Sequence, residues 1–145
     1  PATCLRLRAA VGDIIGANID PSHLFWQGMD ILEVIRDLGA AKAIHYFHAK
    51  DTQLVEHNIR KNGVLDTTSL ADIPNRAWVF RTLGYGHSEG LWKQIFSALK
   101  IAGYDDTISI EHEDGLMSPK EGLEKAIRLV RESIIREGND NLFWA

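Results

Sequence analysis

The chain holds a single cysteine, Cys4, among its 145 residues, so it can close no internal disulfide and fits a reducing compartment. Basic residues do not dominate either: 16 Lys and Arg stand against 20 Asp and Glu, a formal net charge of −4. That balance offers no cationic surface to a phosphate backbone and counts against a nucleic-acid partner. No apolar run approaches the roughly 20 residues that span a bilayer, and the first residues lack the charged-then-apolar order of a signal peptide. These absences predict a cytoplasmic protein with no membrane partner. Internal repeats, low-complexity tracts and linkers are missing as well, and the length suits one domain large enough to bury a core.

What is present is a layout used three times. Ala43-Ile44-His45-Tyr46-Phe47-His48 is an apolar run of strand length that ends in His48, with Asp51 three residues on. Ile14-Ile15-Gly16-Ala17-Asn18-Ile19 leads into Asp20, with His23 three residues beyond, and Thr107-Ile108-Ser109-Ile110 leads into Glu111. Each is a short strand with an ionisable residue at its C-terminal end.

Between these strands the spacing is helical. Asp30 is placed to cap a helix over 31–38 whose Ile31, Val34, Ile35 and Leu38 form one apolar stripe, with Gly39 as its stop. Ser88 caps another, with Leu91, Trp92, Ile95, Phe96, Leu99 and Ile101 on its inner side. Pro119 opens the last, with a stripe of Leu123, Ile127, Val130 and Ile134. Strand, helix, strand predicts a βαβ unit with parallel pairing and a right-handed crossover. The segment 51–87 reads as long and irregular: a helical turn or two over 54–61, a short extended piece at Trp78-Val79-Phe80, then the turn Gly84-Tyr85-Gly86-His87. Long excursions of this kind are usually lids or binding loops. At the start, Cys4 to Gly12 reads as the end of an amphipathic helix, either the close of a longer element or a short helix of its own. At the end, residues 139–145 read as poorly ordered unless Phe143 and Trp144 dock.

Three β/α units in a row indicate an α/β fold, and in barrels and open α/β sheets alike the sites form at the C-terminal ends of the strands. Asp20, His48 and Glu111 fall there. Singly, each has an ordinary explanation: a turn carboxylate, a histidine bonded to backbone, a solvated acidic loop. Together they make a mixed Asp/His/Glu set suited to Mn²⁺, Mg²⁺, Co²⁺ or Zn²⁺ with positions left open for substrate oxygens. Glu111 is preferred to Glu113 because it lies at the strand end proper, although a longer strand would put both on one face. Arg81, Lys50 and Arg60 are candidates to meet a phosphate or carboxylate, or are plain surface charges. Trp26, Phe25 and Tyr85 are candidates for an apolar wall against a sugar face, or are core.

The segments Asn18-Ile19-Asp20-Pro21-Ser22-His23, Phe47-His48-Ala49-Lys50-Asp51, Arg81-Thr82-Leu83-Gly84-Tyr85-Gly86 and Gly103-Tyr104 followed by Ile110-Glu111-His112-Glu113-Asp114 resemble, in order and spacing, the sugar phosphate isomerase/epimerase family. That family is the xylose isomerase-like branch of TIM barrels, and the resemblance runs over essentially the whole chain. It implies a partial TIM barrel with parallel strands, the sixth, seventh and eighth β/α units of eight, so that residues 1–145 are the C-terminal portion of a longer barrel. It also implies Asp20, His48 and Glu111 as metal ligands, Glu111 as a proton-transfer residue, and His23, Asp51 and Arg81 at the substrate.

Two departures from the family pattern matter. Its fourth ligand, a glutamate on the fifth strand, would precede Pro1, and a full barrel takes roughly 250 residues. Isolated, the chain is therefore expected to bind metal poorly and to need either an upstream half or a second copy. Relatives that repair abasic DNA hold three zinc ions with an Asp-x-His pair ahead of the Gly-x-Gly turn; here those places are Trp78 and Phe80, which cannot ligate zinc. The activity implied is divalent-metal-dependent isomerisation or epimerisation of a sugar or sugar phosphate through a cis-enediolate. The alternatives are a polyol or inosose dehydratase using the same site, and an inactive piece that self-associates through open sheet edges.

Overall fold

A computed structural model describes residues 1–139. Helix α1, Ala2–Val11, buries no residue completely, though Cys4 and Leu5 lean on the core. It ends at Gly12, and Arg8 then clips the following turn by donating to the carbonyls of Asp13 at 2.7 Å and Ile15 at 2.5 Å. The expectation for Phe143 and Trp144 lies outside the described residues.

Strand β1 is Ala17–Ile19, shorter than the run 14–19 because Ile14 is 83% exposed and precedes the ladder. Asp20 then caps a short helix α2, Pro21–Phe25, whose first position suits Pro21 because an N–H there would find no partner within the helix. Helix α3, Ile31–Ala40, starts where expected: Asp30 accepts from Leu32 N at 2.9 Å and Glu33 N at 3.4 Å. It does not stop at Gly39. A Cβ at that position would lie 2.5 Å from the Ala102 Cβ, so the glycine serves a close helix–helix approach, and the chain reverses at Lys42, whose φ is 50°.

Strand β2, Ile44–Ala49, pairs in parallel with β1 on one side and with β5, Ile108–Ile110, on the other. The sheet order β1-β2-β5 is that of successive parallel β/α units, three of the eight in a closed barrel. Helix α5, Glu89–Ile101, is capped by Ser88 Oγ at 3.2 Å from Leu91 N, and α6, Pro119–Ser133, by Ser118 Oγ at 3.3 Å from Glu121 N. These helices cover one face of the sheet. Ile35, Phe47, Ala49, Trp92 and Ile95 are each 0% exposed at the centre of that layer.

Two apolar stripes sit differently from their sequence reading. Ile101 is 88% exposed, two positions beyond Leu99, where the buried face of the helix ends. On α6 the buried residues are Gly122, Ala126, Leu129, Val130 and Ser133, while Leu123 and Ile127 stay 37% and 38% exposed. Close approach of α6 to the loop carrying His112 selects small residues over the branched ones beside them.

The segment 51–87 is more regular than expected. Strands β3, Asp51–Leu54, and β4, Trp78–Arg81, form an antiparallel pair with Asp51 opposite Arg81 and Leu54 opposite Trp78. Helix α4, Glu56–Asn62, and a 3₁₀ turn at Ile73–Asn75 lie in their connection. Polar side chains hold that connection: Asn58 Nδ2 donates to the carbonyls of Pro74 and Arg76 at 3.0 and 2.8 Å, and Asp66 accepts from Ala77 N at 2.6 Å and Thr68 N at 2.8 Å. Among the described residues no helix is long and apolar enough to cross a membrane.

Candidate metal centre

Strand parity distributes the side chains after β2. His48 and Lys50 project to one face, and Ala49 and Asp51, both 0% exposed, to the other. Ala49 and Asp51 therefore face the helices, and His48 and Lys50 the open rim. The ladder runs one residue past β5, since Glu111 N donates to Ala49 O at 3.4 Å. With His48 opposite Ser109, that register sets Glu111 beside Lys50.

On β1, Asn18 and Asp20 share a face while Ile19, 3% exposed, enters the core. The two oxygens of Asp20 divide their work. Oδ1 caps α2 by accepting from Ser22 N at 2.9 Å and Ser22 Oγ at 2.7 Å. Oδ2 turns toward the rim, 3.4 Å from His23 Nε2 and 3.6 Å from Lys50 Nζ.

Asp20, His48 and Glu111 each offer a ligand atom, and these atoms all lie within 4.8 Å of one another. Glu111 Oε2 is 2.8 Å from His48 Nδ1, and Glu111 Oε1 is 2.9 Å from Lys50 Nζ. Two hard carboxylates and one imidazole, drawn from three strand ends, fit a borderline or hard divalent cation. The hydrogen bond from Lys50 holds the Glu111 carboxyl below its ordinary pKa against the upward push of burial, and the bond with His48 adds to it. Burial pushes the Lys50 ammonium down, but hydrogen bonds to Glu113 and Glu111 and the charge of Asp20 more than offset it, leaving its pKa raised.

The other expected site residues are placed as follows. His23 stands beside Asp20 with its side chain 52% exposed and its ring edge-on to Phe80 at 5.4 Å. Asp51, expected at the substrate, is turned away from the rim and fully enclosed. Its Oδ2 accepts from Gly84 N, Gly86 N, His87 N and Trp92 Nε1 at 2.9–3.1 Å, and its Oδ1 from Thr52 N and His87 Nδ1 at 2.8 Å. No lone pair remains for a substrate, and the residue instead anchors the glycine-rich turn to the core. Arg81 is also committed, with Nε 3.1 Å from Asp114 Oδ2 and Nη1 2.5 Å from Gln53 Oε1. Arg60 is a surface charge, its side chain 81% exposed and 3.8 Å from Glu56.

Of the three aromatic candidates, only Trp26 joins an aromatic row leading to the rim. Phe25 is 6% exposed in the core and stacks on His87, and Tyr85 lies under Lys125. Trp26 stacks on Trp78 at 5.1 Å, Trp78 meets Phe80, and Phe80 in turn lies 4.3 Å from Lys50 Nζ. Trp78 and Phe80, the residues at the places of a zinc-binding pair, thus make up most of this row.

Three participants were missed or misassigned from sequence. Asn18 Nδ2 lies 3.2 Å from His48 Nε2, and Glu113 Oε2 lies 2.6 Å from Lys50 Nζ. Lys50 itself holds carboxylates rather than facing outward. The available signal was spacing by two: Asn18 from Asp20, Lys50 from His48, Glu113 from Glu111.

Parallel β/α units with a mixed carboxylate–imidazole cluster on the C-terminal rim are the features of part of an α/β barrel with a candidate metal site. The xylose isomerase-like TIM barrel model matches residues 1–133, and the chain belongs to that family. It is 40% identical over 134 residues to the uncharacterized protein YfiH of Bacillus subtilis (strain 168), an alignment covering 92% of this chain and 42% of that one. The chain therefore spans about two fifths of the length of this relative.

Proposed function

We propose that this protein carries the metal-binding rim of a divalent-metal-dependent sugar isomerase or epimerase. The observation that carries the reading is the meeting of Asp20, His48 and Glu111 within 4.8 Å, each from a different strand end. These three would hold Mn²⁺, Mg²⁺, Co²⁺ or Zn²⁺, which when bound polarises the carbonyl and neighbouring hydroxyl of a sugar. Glu111, kept ionised by Lys50, accepts the proton from the hydroxyl-bearing carbon beside the carbonyl, giving an enediolate. Return of the proton to the former carbonyl carbon, with the hydroxyl proton passing from one oxygen to the other, isomerises the sugar; return to the opposite face of the original carbon, from a second acid, epimerises it. His23, half exposed beside Asp20, orients a sugar hydroxyl, and Phe80, Trp78 and Trp26 give the sugar an apolar wall.

Substrate charge follows from the arginines. Arg81 is matched by Asp114 and Gln53, and Arg76 donates to the carbonyls of Trp78 and Thr68, so neither offers a free fork to phosphate. That favours an uncharged sugar over a sugar phosphate.

Because the chain alone is expected to bind metal poorly, the reading is tested on the chain together with the part that completes its barrel, by NMR after incubation in D₂O with Mn²⁺ and a panel of ketohexoses, ketopentose phosphates and inosose. Deuterium should enter beside the carbonyl of at least one neutral sugar, only with metal present, and Glu111→Gln should abolish it. Absence of exchange across the panel, or exchange that survives Glu111→Gln, contradicts the proposal. A dehydratase shares the first proton removal and is separated by loss of water from the product.

A further inference from the structure

Lys50 is the most enclosed charged side chain at the rim, 2% exposed. A buried ammonium persists only where anions and hydrogen bonds surround it. Here Glu113 Oε2 is at 2.6 Å, Glu111 Oε1 at 2.9 Å and Asp20 Oδ2 at 3.6 Å, with the Phe80 ring centroid at 4.3 Å. Two of its three donors are spent on Glu113 and Glu111, and Asp20 adds a third negative charge at ion-pair distance. Two of its carboxylate partners belong to the ligand set; Glu113 does not.

The charges can be counted. Asp20, Glu111 and Glu113 bring three negative charges and Lys50 returns one positive, which leaves −2 among these residues. Without Lys50, three carboxylates would crowd one point and repel one another. Without Glu113, Lys50 would pull directly on two ligands with no anion of its own.

We propose that Lys50 and Glu113 form a fixed counter-charge pair that positions Glu111 and tunes the ligand cluster to a divalent rather than a trivalent cation. Both act through the ligands, as positioning residues. The metal part of this inference rests on the proposed function; the electrostatic part does not, because it concerns how the carboxylates are held without an ion.

The test is a double-mutant cycle on Lys50→Met and Glu113→Gln, read in two ways. Thermal unfolding in EDTA is the first: Lys50→Met should lower the midpoint, and adding Glu113→Gln should recover part of the loss, because it removes one of the crowded charges. The second readout is the affinity for La³⁺ relative to Mn²⁺, each metal titrated alone. Lys50→Met should raise that ratio about tenfold, Glu113→Gln should lower it about tenfold, and the double variant should return within a few-fold of the wild type. Additive stability losses without recovery overturn the pair, as does a metal ratio that neither single substitution moves. If the wild type binds neither ion, the proposed function and the valence tuning fail together, and the EDTA series still decides whether the counter-charge pair exists.

Discussion

Trp92 donates its indole N–H to Asp51 Oδ2 at 3.0 Å, joining the first residue of β3 to the buried face of α5. Both side chains are fully enclosed, and the same carboxylate gathers the backbone N–H groups of Gly84, Gly86 and His87. Asp51 therefore ties the sheet, the glycine turn and the helix layer together. Asp51→Asn keeps the shape but replaces an acceptor with a donor among donors. It should cost about 2–4 kcal/mol, measured by urea unfolding. A loss below 1 kcal/mol would show that this hub does not hold the turn.

Gly86 stands against the same hub. A Cβ there would lie 2.4 Å from the Thr52 carbonyl oxygen, a backbone atom with no freedom to retreat. Gly86→Ala should destabilise by about 1–3 kcal/mol, whereas Gly63→Ser in the open loop, where a Cβ meets nothing within 4 Å, tests only the backbone conformation at φ 74°.

Besides Glu111 at the rim, two carboxylates give the fold a dependence on acid. Asp114 is pushed up by burial but pulled down further by the backbone N–H groups of Thr82 and Leu116 and by Arg81, for a net lowering. Asp66 is held down to about 2 chiefly by the Ala77 backbone N–H and then by Thr68. For a lowered acid the stabilisation is fully present above the unfolded pKa near 3.8 and drains away as pH falls through the folded value. Stability should therefore drop below about pH 4, and Asp114→Asn should flatten that slope in denaturant midpoints taken from pH 6 to pH 2.5. An unchanged slope would remove Asp114 from the account.

Asn18 meets the far nitrogen of His48, the position from which a neighbour fixes the ring's tautomer and orientation. The Asn18 amide Nδ2 donates to Nε2 and the Glu111 carboxylate meets Nδ1, so the two bonds together fix how the ring sits at the rim. Asn18→Leu should weaken Mn²⁺ binding about 10–100-fold while leaving the fold intact by circular dichroism. Equal affinity would mean that His48 is oriented by packing alone.

Much of this architecture is local in origin and so legible from residue order. Asp30 and Ser88 mark helix starts because a cap bonds only two or three residues away, Pro119 marks the third, and the three parallel strands announce themselves as apolar runs bounded by turns. The β3–β4 pair was hidden because its partners are some 30 residues apart, with Asp51 facing Arg81, and neither strand alternates cleanly. On α6 the buried side keeps Leu129 and Val130 but is rotated toward Gly122 and Ala126, because the His112 ring lies where a larger residue at 122 would stand. Asp51 was misplaced for a simpler reason: three residues beyond His48 along an extended chain is the opposite face. Likewise, the Lys50–Glu113 contact depends on the register between β2 and β5, which no stretch of sequence states.

The central claim is that Asp20, His48 and Glu111 act as one cation site, and the Mn²⁺-dependent shift in thermal stability tests it most directly. Binding to the folded state alone adds roughly 2.7 kcal/mol at a hundredfold excess over the dissociation constant. The wild type should gain stability with Mn²⁺ and lose the gain in EDTA, and Asp20→Asn, His48→Gln and Glu111→Gln should each remove most of it. A wild type indifferent to Mn²⁺, or a gain that persists in all three variants, would contradict a shared site.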